Sequence, residues 1–234
     1  MRDTTMSWRR ARIFLFLFVL SIVGPLIHPL TDQPASRYAL SAALWESQTV
    51  QLDEFEHAVG RDSAVKDGHT YSDKAPLQPF LGVPLYGAAR LVGAESASVV
   101  RSGFNLGLWW QSFWFASVPL ALIAAIVFGA LRPLPAERRT YVTLSLVFGT
   151  ILFPFGAMLF GHALAALFLT GAIVLLVSDE IDRTRMLGAG ALVGAAVATE
   201  YPTVVAAVVL TAYVIYKAPR SVHWYILGGA PVSY

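Results

Sequence analysis

The sequence predicts an all-α protein, a polytopic membrane helical bundle with a long, partly helical first external loop, and three observations carry that expectation. Hydrophobic residues make up 56% of the chain against 14% charged, a far more apolar balance than the roughly 25% charged content of soluble domains. The charges are also unevenly placed: the stretches 13–30, 103–131, 140–178 and 186–216 carry none except Glu200. Between the first two of these lies the one long polar segment, residues 31–102.

A helix that crosses a bilayer needs about 20 mostly apolar residues, and the elements follow in order from that length. Residues 1–12 carry Arg2, Arg9, Arg10 and Arg12 and form a cytoplasmic N-terminus to a first span at 13–30. That run is longer than the apolar region of a signal peptide, and Pro25-Leu26-Ile27-His28 lacks the small residues of a cleavage site. A second span at 103–131 gathers Trp109, Trp110, Phe113, Trp114 and Phe115 near one end, as aromatic belts do at a membrane surface. The stretch 140–178 is too long for one crossing and predicts a helical hairpin, 140–156 and 158–178, turning near Phe153-Pro154-Phe155-Gly156.

The stretch 186–216 holds Glu200 beside Tyr201 and Pro202. A single tilted helix would bury this carboxylate at mid-membrane, which is costly. The preferred expectation is two short helices, 186–199 and 202–216, meeting at a turn where Glu200 reaches water. The apolar run 222–234 is too short to cross and is expected to be the start of a truncated seventh span.

With the N-terminus inside, six completed spans place Arg132, Arg138, Arg139, Arg183, Arg185, Lys217 and Arg220 in the cytoplasm, as the positive-inside bias requires. The long loop then lies outside, with nine acidic against six basic residues. A multi-pass plasma-membrane protein with the bilayer as its principal partner is the resulting expectation. The net charge of +2 is scattered among apolar runs and makes no basic face, which argues against nucleic acid as a partner. The absence of cysteine excludes a disulfide framework and any thiolate nucleophile or metal ligand.

Within the loop, residues 36–45 and 79–92 repeat apolar side chains at three- and four-residue spacing and predict helices suited to a membrane surface. Residues 60–79, rich in Gly, Asp, Ser, His and Pro, are expected to be irregular. They include Asp67-Gly68-His69-Thr70-Tyr71-Ser72-Asp73-Lys74-Ala75-Pro76-Leu77, the densest set of reactive side chains in the chain. Lys74 suits a phosphate, and Asp53 or Asp73 suits proton abstraction from a hydroxyl or a divalent cation. The plainer alternative is that Asp73 and Lys74 pair with each other while Pro76 and Pro79 shape the loop.

Other candidates have equally plain alternatives. His69, His162 and Glu200 suit an acceptor or a metal, but His162 also suits an interhelical hydrogen bond and Glu200 a turn cap. Arg37 and Tyr38 suit phosphate steering or the anchoring of a surface helix. Gly188, Gly190 and Gly194 suit close helix packing. No cofactor is specified, with a divalent cation left open.

The run DGHTYSDKAPLQPFLGVPLYGAARLVG at 67–93, followed by Arg101, resembles the segment after the first span of the membrane-embedded GT-C glycosyltransferases. Protein O-mannosyltransferases and aminoarabinose transferases belong to that superfamily, and the likeness is closest to bacterial and archaeal relatives with a YSDKAPG form. Upstream, SRYALSAALWESQTVQLDEF at 36–55 resembles the same loop. FPFGAMLFGHALAALFL at 153–169 and LVGAAVATEYP at 192–202 look like later helices of those relatives.

The resemblance implies a GT-C-like fold and transfer of a hexosyl or pentosyl group from a polyprenyl-phosphate donor to an acceptor at the outer face. An acidic residue of the first external loop would be the general base, ranked here Asp53, Asp73, then Asp32. Lys74, with Arg37 and Tyr71, would bind the donor phosphate. The chain departs from the pattern where Ala75 replaces the first proline, Leu77 replaces a glycine, and Gln33 stands in place of a second carboxylate. The relatives continue with more spans, so the chain is expected to be an N-terminal portion. The alternative is a non-catalytic transporter or lipid-binding protein in which Asp73 and Lys74 hold an ion. The scarcity of intramembrane charge apart from Glu200 favours the enzyme.

Overall fold

The computed structural model describes residues 8–26, 32–59, 62–99, 104–178 and 182–230. Within them the chain is mostly helical, with a single two-stranded sheet. Helix α1 (Trp8–Val23) buries Leu15, Val19 and Val23, a four-residue repeat along one face, against Leu120, Ala121, Ala124 and Phe128 of α6. That partner helix is long: α5 (Leu106–Ser112) runs through a π-helical turn (Phe113–Ser117) into α6 (Val118–Ala130). Asn105 starts it by accepting the Leu108 N–H at 2.7 Å, which satisfies one of the orphan donors at a helix start.

Helix α7 (Ala136–Phe148) also packs on α6 and passes through the short α8 (Leu152–Phe155) to α9 (His162–Val177), which lies between α6 and α10 (Arg183–Thr199). Between the two helices expected as a hairpin, Phe153, Pro154 and Phe155 of the expected turn form the short α8, and the helices on either side both contact α6. Helix α10 ends at Thr199, a 3-10 turn (Tyr201–Thr203) follows, and α11 (Val204–Lys217) continues. The break falls where Pro202 cannot donate a backbone hydrogen bond. Beyond a 116° bend, α12 (Val222–Gly229) returns across α10. Gly190 and Gly228 make that crossing possible, since a Cβ on either would collide with the carbonyl of Tyr225 or Leu187 on the facing helix.

Among the described residues one helix, Leu106–Ala130, is long and apolar enough to cross a membrane, and a second counts if Tyr201–Lys217 and Pro219–Gly229 form one bent span. Helices α1 and α9, at 16 residues each, are shorter than a full crossing. Residues 27–30 of the expected first span, residues 1–7 and residues 231–234 lie outside the described residues.

The polar loop forms its own layer. Helix α2 (Asp32–Glu46) lies against α4 (Leu77–Leu91), with a 3-10 turn (Asp53–Phe55) and the short α3 (Glu56–Val59) beside them. The segment expected to be irregular instead contains an antiparallel hairpin, β1 (Ala64–Lys66) and β2 (His69–Tyr71), with Lys66 opposite His69. Its two-residue turn is Asp67-Gly68, with φ of 53° and 82°. Positive φ at both central positions is the turn type that matches strand twist, and Asp-Gly favours it. The layer is not a tether, because Tyr38, Ala42, Leu52, Phe55 and Tyr86 share one core with Leu108, Phe115, Leu159 and Leu164 of the bundle. The Asp32 side chain and Arg101 lie outside the described residues.

Candidate functional site

The loop layer meets the bundle along a polar seam built on Arg37. The sixth residue of α2, this side chain is only 2% exposed. Its Nη2 donates to Glu200 Oε1 at 2.7 Å, and its Nη1 donates to Gln78 Oε1 at 3.1 Å and the Thr199 carbonyl at 3.3 Å. His162, the first residue of α9, places Nδ1 3.2 Å from the same Glu200 oxygen. Glu200 therefore does not reach water as expected. The helix break turns it toward the loop layer, where it is 9% exposed and the guanidinium compensates its lost hydration.

Burial pushes the Glu200 carboxyl up, but the His162 hydrogen bond and the Arg37 charge outweigh it and hold the group below the usual carboxylate range. Burial lowers the Arg37 guanidinium from its ordinary value, opposed by the charges of Glu200, Asp62 and Asp73. Arg37 thus acts inside the seam as an anchor between α2, α4 and the α10–α11 break, with its Nε lacking a hydrogen-bond partner among the described residues.

One residue away, the Ser36 hydroxyl lies 2.8 Å from that of Ser72, which also accepts the Lys74 N–H at 3.3 Å. These bonds fix the Tyr71–Pro76 run against α2. Lys74 Nζ then sits 2.5 Å from Asp62 Oδ1 and 3.2 Å from Asp73 Oδ1. Burial lowers the Lys74 ammonium, but the hydrogen bonds it donates to the two carboxylates outweigh it and set the group above its ordinary value. Asp62 keeps a buried Oδ2 with no hydrogen-bond partner among the described residues. Asp73 is the more exposed of the pair, at 40% of its side chain against 20%.

Asp53 has a different task. Its Oδ1 accepts the Thr70 N–H at 2.7 Å and its Oδ2 lies 2.7 Å from His69 Nδ1, so both oxygens hold strand β2. The Thr70 N–H, then His69, lower its pKa from the ordinary carboxylate value. Tyr71 belongs to the same latch, its hydroxyl 3.4 Å from Gln51 Nε2. The geometry thus joins Asp73 and Lys74, near Arg37, and ties Asp53, His69 and Tyr71 together as a hairpin clasp.

The residues proposed for an acceptor or metal are split between the two groups, His69 with Asp53 and His162 with Glu200. No three His, Asp or Glu side chains converge as a metal-binding group among the described residues.

No family model, curated protein or solved structure matches this chain.

The seam brings together an ammonium flanked by two carboxylates, beside a buried guanidinium and a half-exposed imidazole. Asp62, Gln78 and Ser72 take part without having been singled out from sequence. Asp62 lies 12 residues before Lys74 in no periodic pattern, and the contact depends on the hairpin that reverses the chain between them.

Proposed function

We propose that this chain is a multi-pass membrane protein whose seam binds a polyprenyl-phosphate sugar and transfers the sugar to an acceptor at the outer face. The observation that carries the reading is Lys74, held between Asp62 and Asp73 where the loop layer meets the helix ends. The resemblance of the loop to GT-C glycosyltransferases supplies the substrate class. The division of charge supports the orientation: Arg12 at the start of α1, Arg132 after α6 and Arg183 at the start of α10 lie at one pole. His162 and Glu200, at the start of α9 and the end of α10, meet the loop at the other.

In this reading the donor phosphate exchanges with a carboxylate on Lys74. Asp73, the more accessible of the two, is then free to accept the proton of an acceptor hydroxyl. The acceptor oxygen bonds to the anomeric carbon as that carbon's bond to the phosphate oxygen breaks. Polyprenyl phosphate departs with the electron pair, and Lys74 offsets its added negative charge. Asp32, at the first position of α2, is the rival base, and Asp53 ranks below both because its oxygens are occupied.

The test is transfer of a labelled sugar from polyprenyl-phosphate donors by membranes containing the protein. Asp73→Asn is expected to lower kcat by about 10²- to 10⁴-fold, Lys74→Ala to abolish transfer, and Lys74→Arg to restore part of it. Asp53→Asn is expected to keep more activity than Asp73→Asn. Undiminished transfer by both Asp73→Asn and Lys74→Ala would overturn the assignment.

A further inference from the structure

At the pole opposite the loop, α1, α6, α9 and α10 enclose a groove of about 520 Å³, within the size range of ligand sites. Its mouth carries Trp8, Arg12 and Arg132, and its wall is apolar, including Val174, Leu175 and Leu192. Among the described residues the arginines are held without carboxylates. Arg12 Nε donates to the Ala125 carbonyl at 3.1 Å. Arg132 lies 5.7 Å over the Trp8 ring, and Arg139 lies 4.7 Å over both Trp8 and Phe128. None of the three forms an ion pair among the described residues, and Arg139 Nε is buried without a hydrogen-bond partner there.

A cluster of guanidiniums with no carboxylate partner among the described residues, beside an apolar channel, matches one kind of ligand, an anion joined to a hydrocarbon chain. Arginine forks take phosphate oxygens two at a time, and basic pockets between helices on the cytoplasmic side suit anionic lipid headgroups. We infer that this groove binds an anionic glycerophospholipid of the inner leaflet, its phosphate at Arg12 and Arg132 and one acyl chain along Val174, Leu175 and Leu192. The site is separate from the loop seam. It rests on the membrane-embedded part of the proposed function and not on sugar transfer.

The test uses the whole chain purified in a neutral detergent, with the unfolding midpoint followed as lipid is added. Phosphatidylglycerol is expected to raise the midpoint by about 5 °C or more at saturation, while phosphatidylcholine and glycerol 3-phosphate leave it nearly unchanged. Arg132→Gln, at an exposed position, and Arg12→Gln should each weaken the response, the pair together removing it, with Arg132→Lys intermediate. Val174→Trp, which fills the half-exposed wall and leaves the charges in place, should weaken it as well.

Equal responses to phosphatidylglycerol and phosphatidylcholine would overturn the inference, as would an unaltered response in the double Gln variant. A response to glycerol 3-phosphate as large as that to phosphatidylglycerol, or full binding by Val174→Trp, would reduce the site to a simple anion site and reject the lipid. Release of the protein from membranes by a carbonate wash would instead sink the membrane reading. A protein that stays embedded but ignores phosphatidylglycerol fails this inference alone.

Discussion

Neutralising Glu200 tests whether the seam holds the loop layer to the bundle. Glu200→Gln keeps the shape of the side chain and removes its charge, leaving the Arg37 guanidinium, 2% exposed, with only neutral acceptors. Deleting one charge of a buried pair costs about 3–5 kcal/mol. The Glu200 side chain is 11% exposed and its second partner, His162, 39%, so solvent relieves part of that penalty and the lower end, about 3 kcal/mol, applies. At about 2–4 °C per kcal/mol for a chain of this size, the midpoint should fall by roughly 6–12 °C. Unfolding in detergent, followed by the fluorescence of the six tryptophans, reads the shift. Arg37→Leu should cost at least as much, while Arg37→Leu with Glu200→Leu should recover most of the loss, because no uncompensated charge remains. A Glu200→Gln midpoint within about 1 °C of the parent, or strictly additive losses in the double variant, would refute the reasoning.

The same pair sets an acid limit. The Glu200 carboxyl is depressed, so its contribution is complete above the ordinary carboxylate range and is lost as pH falls through its lower folded value; Glu200→Gln should flatten that acid limb in midpoint measurements. Asp53→Asn should free the hairpin, since Thr70 and His69 lose their anionic acceptor, and faster backbone hydrogen exchange at residues 64–71 without change elsewhere is the expected readout. Asn105→Ala removes a helix cap and the acceptor of the buried Tyr38 hydroxyl, at about 2–4 kcal/mol; adding Tyr38→Phe should return part of that in the same unfolding assay. Gly190→Ala drives a methyl into the Tyr225 carbonyl and should cost about 1–3 kcal/mol, with proteolysis concentrated at 218–221 as α12 is displaced.

Helix positions were legible because apolar runs and their breakers are local signals. Residues 36–45 fall inside α2 and 79–91 of the expected 79–92 inside α4, and the Glu200-Tyr201-Pro202 break lies where the lone charge and the proline indicated. Helix ends were less legible, since the uncharged run from residue 13 includes Gly24 and Pro25, where α1 has already given way to a turn, and α1 instead extends back through Arg9, Arg10 and Arg12. The hairpin had a signal in Asp67-Gly68, masked by the polar character of the strands around it; their exposed faces, with Val65 74% exposed, carry no hydrophobic alternation. The Lys74 and Asp73 pairing followed from adjacency. Arg37 with Glu200 did not, because contacts across long separations follow from how layers dock, and no local spacing encodes that docking.

That last contact also has a temporal side. Arg37 and Glu200 are 163 residues apart, and a ribosome adding about 5–20 residues per second needs on the order of 10–30 s to cover that distance. Throughout that interval the Arg37 guanidinium lacks the one carboxylate it is hydrogen-bonded to in the finished fold. The seam therefore closes only after α10 has been made, when one carboxylate, arriving from far along the chain, completes an element synthesised long before it.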